Sequence, residues 1–241
     1  MKEFNDIAVV IPVRMNSSRI EKKVLLELND QNNKTYNLLS WKLNQLSQII
    51  NPEQIFVSTE SEIFKDIAKS FGCNTLHRDE YLTKKNYTAT TREQVEGVIK
   101  DVPFKHIAWI TAVVPLMQPN EYKESFLKYK QNIDSKNNFD SLVTVNLLKE
   151  YFWNDNGPIN YEANENHPAS QLLPNIYKVT NGLYMAEKET MLKNGYFLGN
   201  NPYKQIVSKI SGIDIDEYED YEMAKYLLPI YFNKIKHDNS N

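Results

Sequence analysis

Arg14, Ser17, Ser18, Arg19, Lys22 and Lys23 fall within ten positions of one another near the N-terminus. Guanidinium and ammonium groups supply charge and hydroxyls supply hydrogen bonds, so a loop that gathers both is suited to phosphate oxygens. Two of the chain's four arginines are here. A solvated basic loop has the same composition, and residue type alone leaves both readings open. Position adds something. The loop follows residues 7–11, IAVVI, a run too short for a helix and apolar on both parities. Such a run predicts a strand buried on both faces of a parallel sheet, ended by Pro12. Open α/β sheets bind ligands at the carboxyl ends of such strands. A lysine in such a loop is expected to be exposed and to contribute little to stability.

Asp214 and Asp216 form a second candidate group. Two residues apart in a strand, they would share a face, and a hard Mg²⁺ takes one or two carboxylates together with phosphate oxygens. The pair also reads as acids preceding a helix, and Asp220 reads as a helix N-terminal charge. Arg78 stands where a strand ends, a position that suits an ordinary surface arginine as well as a ligand contact.

The elements that must hold these groups alternate. Residues 37–50 place Leu38, Leu39, Trp41, Leu43, Leu46 and Ile49 mostly at helical spacing, stopped by Pro52. Ser61 caps a helix that Gly72 ends, and further helices are predicted from 90 or 91 to 100 and over 121–133, 187–194 and 219–235. Strands are predicted over 54–58, 73–76, 106–111, 140–145 and 181–186. The β-α-β-α rhythm implies an α/β fold of three layers, helices on both faces of a mostly parallel sheet. Residues 147–178 break it with a stretch rich in Asn, Pro and aromatics, a length of loop that tends to be functional or to pack on a partner.

At 241 residues the chain suits one α/β domain, 1–241, with 147–178 as an excursion. A formal charge of −3 offers no field for nucleic acid, and 41% apolar with 12% aromatic residues excludes general disorder. No run approaches the roughly eighteen apolar residues of a membrane span, and MKEFND carries no signal-like region, so the expectation is a cytoplasmic protein with no membrane partner. Cys73 is the only cysteine, expected as a small buried residue, and the four histidines lack ligand spacing.

Several stretches, in chain order, carry a family likeness. IPVRMNSSRIEKKVLLEL, IFVSTESE, FGCNTLHRD, VVPLMQP, FDSLVTV, QLLPNIYKVTNGLYMAEKETMLKNGYF and GIDIDEYEDYEMA together resemble the CMP-sugar synthetases, the cytidylyltransferases that activate Kdo, sialic acid and related ulosonic acids. Arg14, Ser17, Arg19 and Lys23 fall on the spacing R-x-x-S-x-R-x-x-x-K of the Kdo branch. The resemblance implies a Rossmann-like nucleotide-diphospho-sugar transferase fold and transfer of CMP from CTP with release of pyrophosphate. It implies catalytic roles for Arg14, Lys23 and Asp216, a triphosphate site of Arg14, Ser17, Ser18, Arg19 and Lys23, and base contacts from Arg78, Thr88 and Thr90. It further implies Mg²⁺ on Asp214 and Asp216, acceptor contacts from Lys149, Gln171, Asn181 and Tyr184, and a homodimer in which the excursion crosses to the partner.

The departures lie in the same stretches. Met15 and Asn16 stand where the sialic-acid branch has Gly-Gly, leaving the loop without glycine, and Val24 replaces an asparagine. The segment from Thr111 to Pro115 lacks the Asp of the Kdo branch and the Gln of the sialic-acid branch. Ser170 occupies the place of an arginine that would clamp an acceptor carboxylate. Three functions follow: CMP transfer to an acidic ulosonic sugar, cytidylyl transfer to a phosphate, phosphonate or other anion, and a nucleotide-binding relative without catalysis.

Overall fold

The computed structural model describes residues 4–83, 89–133 and 138–238. The chain opens with β1 (Ile7–Pro12), followed by the basic loop, the hairpin β2 (Glu27–Asn29) and β3 (Thr35–Asn37), and α1 (Leu38–Leu46). Next come β4 (Ile55–Thr59), α2 (Glu62–Ser70), β5 (Asn74–His77), α3 (Glu80–Thr83), α4 (Thr91–Ile99), β6 (His106–Ile110) and α5 (Pro119–Ile133). The second half holds β7 (Ser141–Leu148), the two-residue strands β8 (Trp153–Asn154) and β9 (Gly157–Pro158), β10 (Ile176–Glu187), α6 (Lys188–Asn194), β11 (Pro202–Ile206) and α7 (Tyr218–Asp238).

Seven strands form one sheet in the order β11-β7-β10-β6-β1-β4-β5. β1 is central and pairs in parallel with β4 and β6. Its apolar run is buried on both faces, as both parities require. Ile7, Val9 and Ile11 join Leu39 and Leu43 of α1, Phe64 of α2 and Phe126 of α5, while Ala8 and Val10 meet Val95, Val98 and Ile99 of α4 and Met191 of α6. Full burial of each such aliphatic side chain contributes about 1.5–3 kcal/mol. α1 is buried on a second side as well: Leu38 and Trp41 pack with Leu28, Tyr36, Tyr221, Leu228 and Tyr231 of the hairpin and α7. The Asn37 side chain caps α1 by accepting from the Ser40 N–H at 2.9 Å. Among the described residues no helix is long and apolar enough to cross a membrane.

Beyond short elements the sequence did not announce, the β2–β3 hairpin, α3 and the β8–β9 pair, the structure departs from the sequence expectations in four further places. The strand expected over 181–186 is the twelve-residue β10, antiparallel to both neighbours, β6 and β7. A register shift between Val179 and Tyr184, with Asn181 at φ 57°, breaks its alternation and hides its first half in the sequence. β11 was not expected. It opens on Pro202, has one buried position and pairs only with β7, as an edge strand does. Asp214 and Asp216 lie in no strand but between a 3₁₀ turn, Ile210–Gly212, and α7, where the Ile215 N–H donates to Val113 O at 2.9 Å. Finally, both ends of the expected excursion are sheet, Leu147 pairing with Tyr177 and Leu148 with Ile176. Its aromatics also pack on one another: the Tyr151 ring lies 4.9 Å from Tyr161 and 4.6 Å from His167.

Candidate functional site

The basic loop leaves the carboxyl end of β1 and closes over a pocket lined by Arg14, Ser17, Ser18, Arg19, Lys23, Thr111 and Asp216. Its lack of glycine has a structural answer. None of residues 13–21 takes a positive φ, and the single left-handed turn falls on Lys22 at φ 51°. The loop is held from outside, by the Met15 N–H donating to Glu60 Oε1 at 2.8 Å just beyond β4. Lys23 sits in a 3₁₀ turn and is not the exposed lysine expected, its side chain being 12% accessible. Its ammonium donates to Ile215 O at 2.6 Å and lies 3.3 Å from Asp216 Oδ1. Arg19 donates to the same Asp216 oxygen at 2.5 Å. Two cations of the first loop thus hold the acidic segment that precedes the last helix.

The acids divide their roles. The Asp220 carboxylate, in the first turn of α7 where an N-terminal charge was expected, reaches back to accept from the N–H groups of Asp216 and Glu217, at 2.9 and 2.8 Å. That leaves Asp216 free of capping duty. Asp214 is turned the other way, its Oδ2 accepting from Asn181 Nδ2 at 2.8 Å. Its Oδ1 is buried with no hydrogen-bond partner among the described residues. Burial holds the Asp214 carboxyl above its ordinary range, with Asn181 opposing and the neighbouring Asp216 adding. Such an oxygen suits a hard dication. Among the described residues no three His, Cys, Asp or Glu side chains gather at one point, and Mg²⁺ takes as few as one or two carboxylates beside phosphate oxygens and water. Thr111 donates to Asn181 O at 2.7 Å and holds the β10 bulge that presents Asn181.

Pro12 and Arg14 also wall a second pocket, lined further by Arg78, Leu82, Ala89, Thr91, Gln94, Trp109 and Phe197. Arg78 is not a surface residue. It is 8% accessible, one terminal N–H donates to Gln94 Oε1, and Nε is buried without a partner among the described residues. Burial pushes its pKa down to about 10, with Glu60 opposing and Arg14 adding. The opposite wall is aromatic, Trp109 and Phe197 lying 4.7 Å apart between ring centroids.

The remaining sequence expectations are met unevenly. Thr88 lies outside the described residues. Thr90 does not line the pocket; it is the N-cap of α4, closed in a capping box with Glu93, and Thr91 faces the pocket in its place. Of the expected acceptor group, Asn181 and Tyr184 come together at Asp214, the Tyr184 hydroxyl donating to Asn181 Oδ1 at 2.5 Å. Lys149 and Gln171 stay on the excursion, where the Lys149 ammonium donates to Leu173 O and Gln171 sits in an exposed 3₁₀ turn. The sequence reading missed Glu60, Gln94, Trp109 and Phe197. The strand-end position of Glu60 was a usable signal; Phe197, eighty-eight positions from the ring it packs on, left none.

A family model described as cytidylyltransferase matches residues 8–227. The N-acylneuraminate cytidylyltransferase of Escherichia coli O18:K1:H7 is 24% identical over 229 residues, covering 90% of this chain and 51% of that one, so the chain spans about half of its length. The pseudaminic acid cytidylyltransferase of Campylobacter jejuni is 24% identical over 240 residues, covering 96% and 97% of the two chains. Among solved structures, a CMP:2-keto-3-deoxy-manno-octonic acid synthetase complexed with CTP matches with TM-score 0.63 at 12% identity, over 93% of this chain and 99% of that one. A cytidylyltransferase from Leptospira borgpetersenii matches with TM-score 0.59 at 15% identity, over 98% and 95%.

Proposed function

The chain belongs to the cytidylyltransferase family, and from that premise we propose that it transfers CMP from CTP to an acidic ulosonic or nonulosonic sugar and releases pyrophosphate. One observation carries the reading: Arg14 and Pro12 are walls of two pockets at once, one lined by cations and hydroxyls and the other by Arg78 and two aromatic rings. A nucleoside triphosphate has the same two parts, a polyanion and a flat base.

In this mechanism the acceptor hydroxyl attacks the α-phosphorus of CTP, an O–P bond forms, the bond to the pyrophosphate oxygen breaks, and the hydroxyl proton leaves to water. Catalysis of such a displacement is mostly positioning and charge neutralisation. Arg14, Arg19 and Lys23 supply positive charge to the triphosphate, and Ser17 and Ser18 supply hydroxyl donors. Arg78 donates to the base edge while Trp109 and Phe197 give it an apolar wall. Asn181 and Tyr184 orient the acceptor beside Asp214. Mg²⁺, held by Asp214 and Asp216, would add charge neutralisation on the phosphate oxygens. The protein works as a homodimer in the cytoplasm, where CTP is available, with Lys149 and Gln171 on the excursion serving the acceptor.

Pyrophosphate release measured with each nucleoside triphosphate against acidic sugars tests the reading, with phosphate-bearing acceptors in the same panel. CTP with a ulosonic or nonulosonic acid is expected to give turnover. Activity confined to another nucleotide, or to phosphate acceptors, would overturn it.

A further inference from the structure

Gln94 has no part in the mechanism so far, yet its position is closely fixed. Its Nε2 donates to Leu82 O at 2.9 Å across the corner between α3 and α4. That bond settles the amide's orientation, so Oε1 must face Arg78, whose terminal N–H it accepts. Gly97, one turn on, leaves room for Leu82 Cδ1, which an added Cβ would meet at 2.2 Å, and α4 can therefore approach α3 closely enough for the bridge. With one N–H held by Gln94, Arg78 keeps its remaining donors, including the buried Nε, which has no partner among the described residues, for whatever enters the aromatic-walled pocket.

We propose that Gln94 is the residue that sets nucleobase selectivity, by fixing the Arg78 guanidinium so that a donor edge meets the base. The inference rests on the reading of this pocket as a base site. A fixed pair of donors is complementary to cytosine, which presents N3 and O2 as adjacent acceptors. Uracil places an N–H at the first of these positions, so a donor would face a donor and a buried group would go unpaired. Sites built on such hydrogen bonds discriminate far more strongly than apolar pockets do. A guanidinium free to swivel would lose the distinction, because it could move off N3 and give its donors to a single carbonyl of uracil, O2 or O4.

The experiment compares kcat/KM for CTP and UTP in the full-length protein and in two variants. Gln94→Leu removes both hydrogen bonds, and Gln94→Asn keeps the amide but is one methylene too short to bridge Leu82 and Arg78. Each is expected to lower the CTP:UTP ratio at least tenfold, while inhibition by inorganic tripolyphosphate stays within about twofold of the original. If Gln94→Leu fails to fold, Gln94→Asn carries the same comparison. An unchanged ratio, or equal loss with both nucleotides, overturns the inference and makes Gln94 a packing residue. A parent protein without preference for CTP over UTP would instead remove the base-site reading on which the inference stands.

Discussion

Asp216 binds the same two cations that the triphosphate would need, so in the proposed mechanism it competes with phosphate while holding Mg²⁺. Asp216→Asn is therefore expected to act in opposite directions. Without metal, inorganic tripolyphosphate should bind several-fold more tightly, because Arg19 and Lys23 lose a charge partner. Mg²⁺-dependent turnover should fall by two orders of magnitude or more, and a metal titration beside an anion-binding isotherm checks both. Lys23→Met removes a cation from the triphosphate and is expected to cut turnover at least a hundredfold. It should also cost about 1.5–3 kcal/mol in urea unfolding, since the ammonium is a charged donor to a partly buried carbonyl. Asp214 supplies a pH test. Its carboxyl is raised above the ordinary value chiefly by burial, so its contribution to stability is present below the ordinary aspartate value and lost as pH rises through the raised one. Asp214→Asn should accordingly melt higher than the parent protein at pH 7, with the gap closing on acidification below pH ~4, and should lose turnover if the carboxylate holds a cation. The cationic loop was legible in the sequence because its residues are neighbours in the chain. The second pocket was only partly legible: Arg78 could be named, but Gln94, Trp109 and Phe197 reach it from α4, from β6 and from the segment after α6.

Elements show the same division between local and assembled features. β1, β4 and β6 announce themselves as short apolar runs because both of their faces are covered, and α1, α2, α4 and α5 by their spacing. β11 and the first half of β10 do not, since an edge strand and a bulged, half-exposed strand have no strict period to display. The segment carrying Asp214 and Asp216 is irregular, and its shape comes from distant anchors. Glu121, in the first turn of α5, accepts from the Ser208 N–H at 3.2 Å and the Ser211 hydroxyl at 2.6 Å, and from the Gln118 N–H at 2.9 Å. Asn146 donates to Ser208 O at 2.8 Å and would meet a Cβ at Gly212 at 2.1 Å from its Oδ1. The 3₁₀ turn ahead of Asp214 is therefore clamped from two sides. Glu121→Ala should cost about 3 kcal/mol, since hydrogen bonds to a charged group are lost and their donors left partly buried. Because the turn leads directly to the aspartates, the same variant should raise the Mg²⁺ concentration needed for half-maximal turnover. Loss of stability with an unchanged metal titration would show that the clamp serves folding alone.

At the scale of the whole molecule, β7 and β10 continue as a two-stranded ribbon past the last pair that β11 makes with β7. Tyr177 and Val179 are exposed in the first half of β10, and the excursion that precedes it displays Trp153 at 62% and Leu172 at 78% accessibility. The cluster of Tyr151, Tyr161 and His167 gives the excursion a small core of its own, more than its polar composition led one to expect. Trp153 donates its Nε1–H to the Tyr161 hydroxyl of that cluster yet stays mostly exposed, as does Leu172. A two-stranded ribbon without a packed face is marginal in water, and large exposed apolar groups on one arm call for a surface to bury against. A second copy would meet the need through an isologous contact, in which each arm would lie on the other subunit and bury the same residues. The prediction is a dimer mass by light scattering at micromolar concentration. Trp153→Asp, which puts a charge where an aromatic would be buried, should shift the mass toward the monomer and weaken binding of the acceptor more than of CTP, because Lys149 and Gln171 ride on the arm while the two pockets proposed for CTP are lined by one chain. A monomeric mass for the parent protein with activity retained would mean that the arm closes no partner's site. An intact dimer in the Trp153→Asp protein would mean that the contact lies elsewhere.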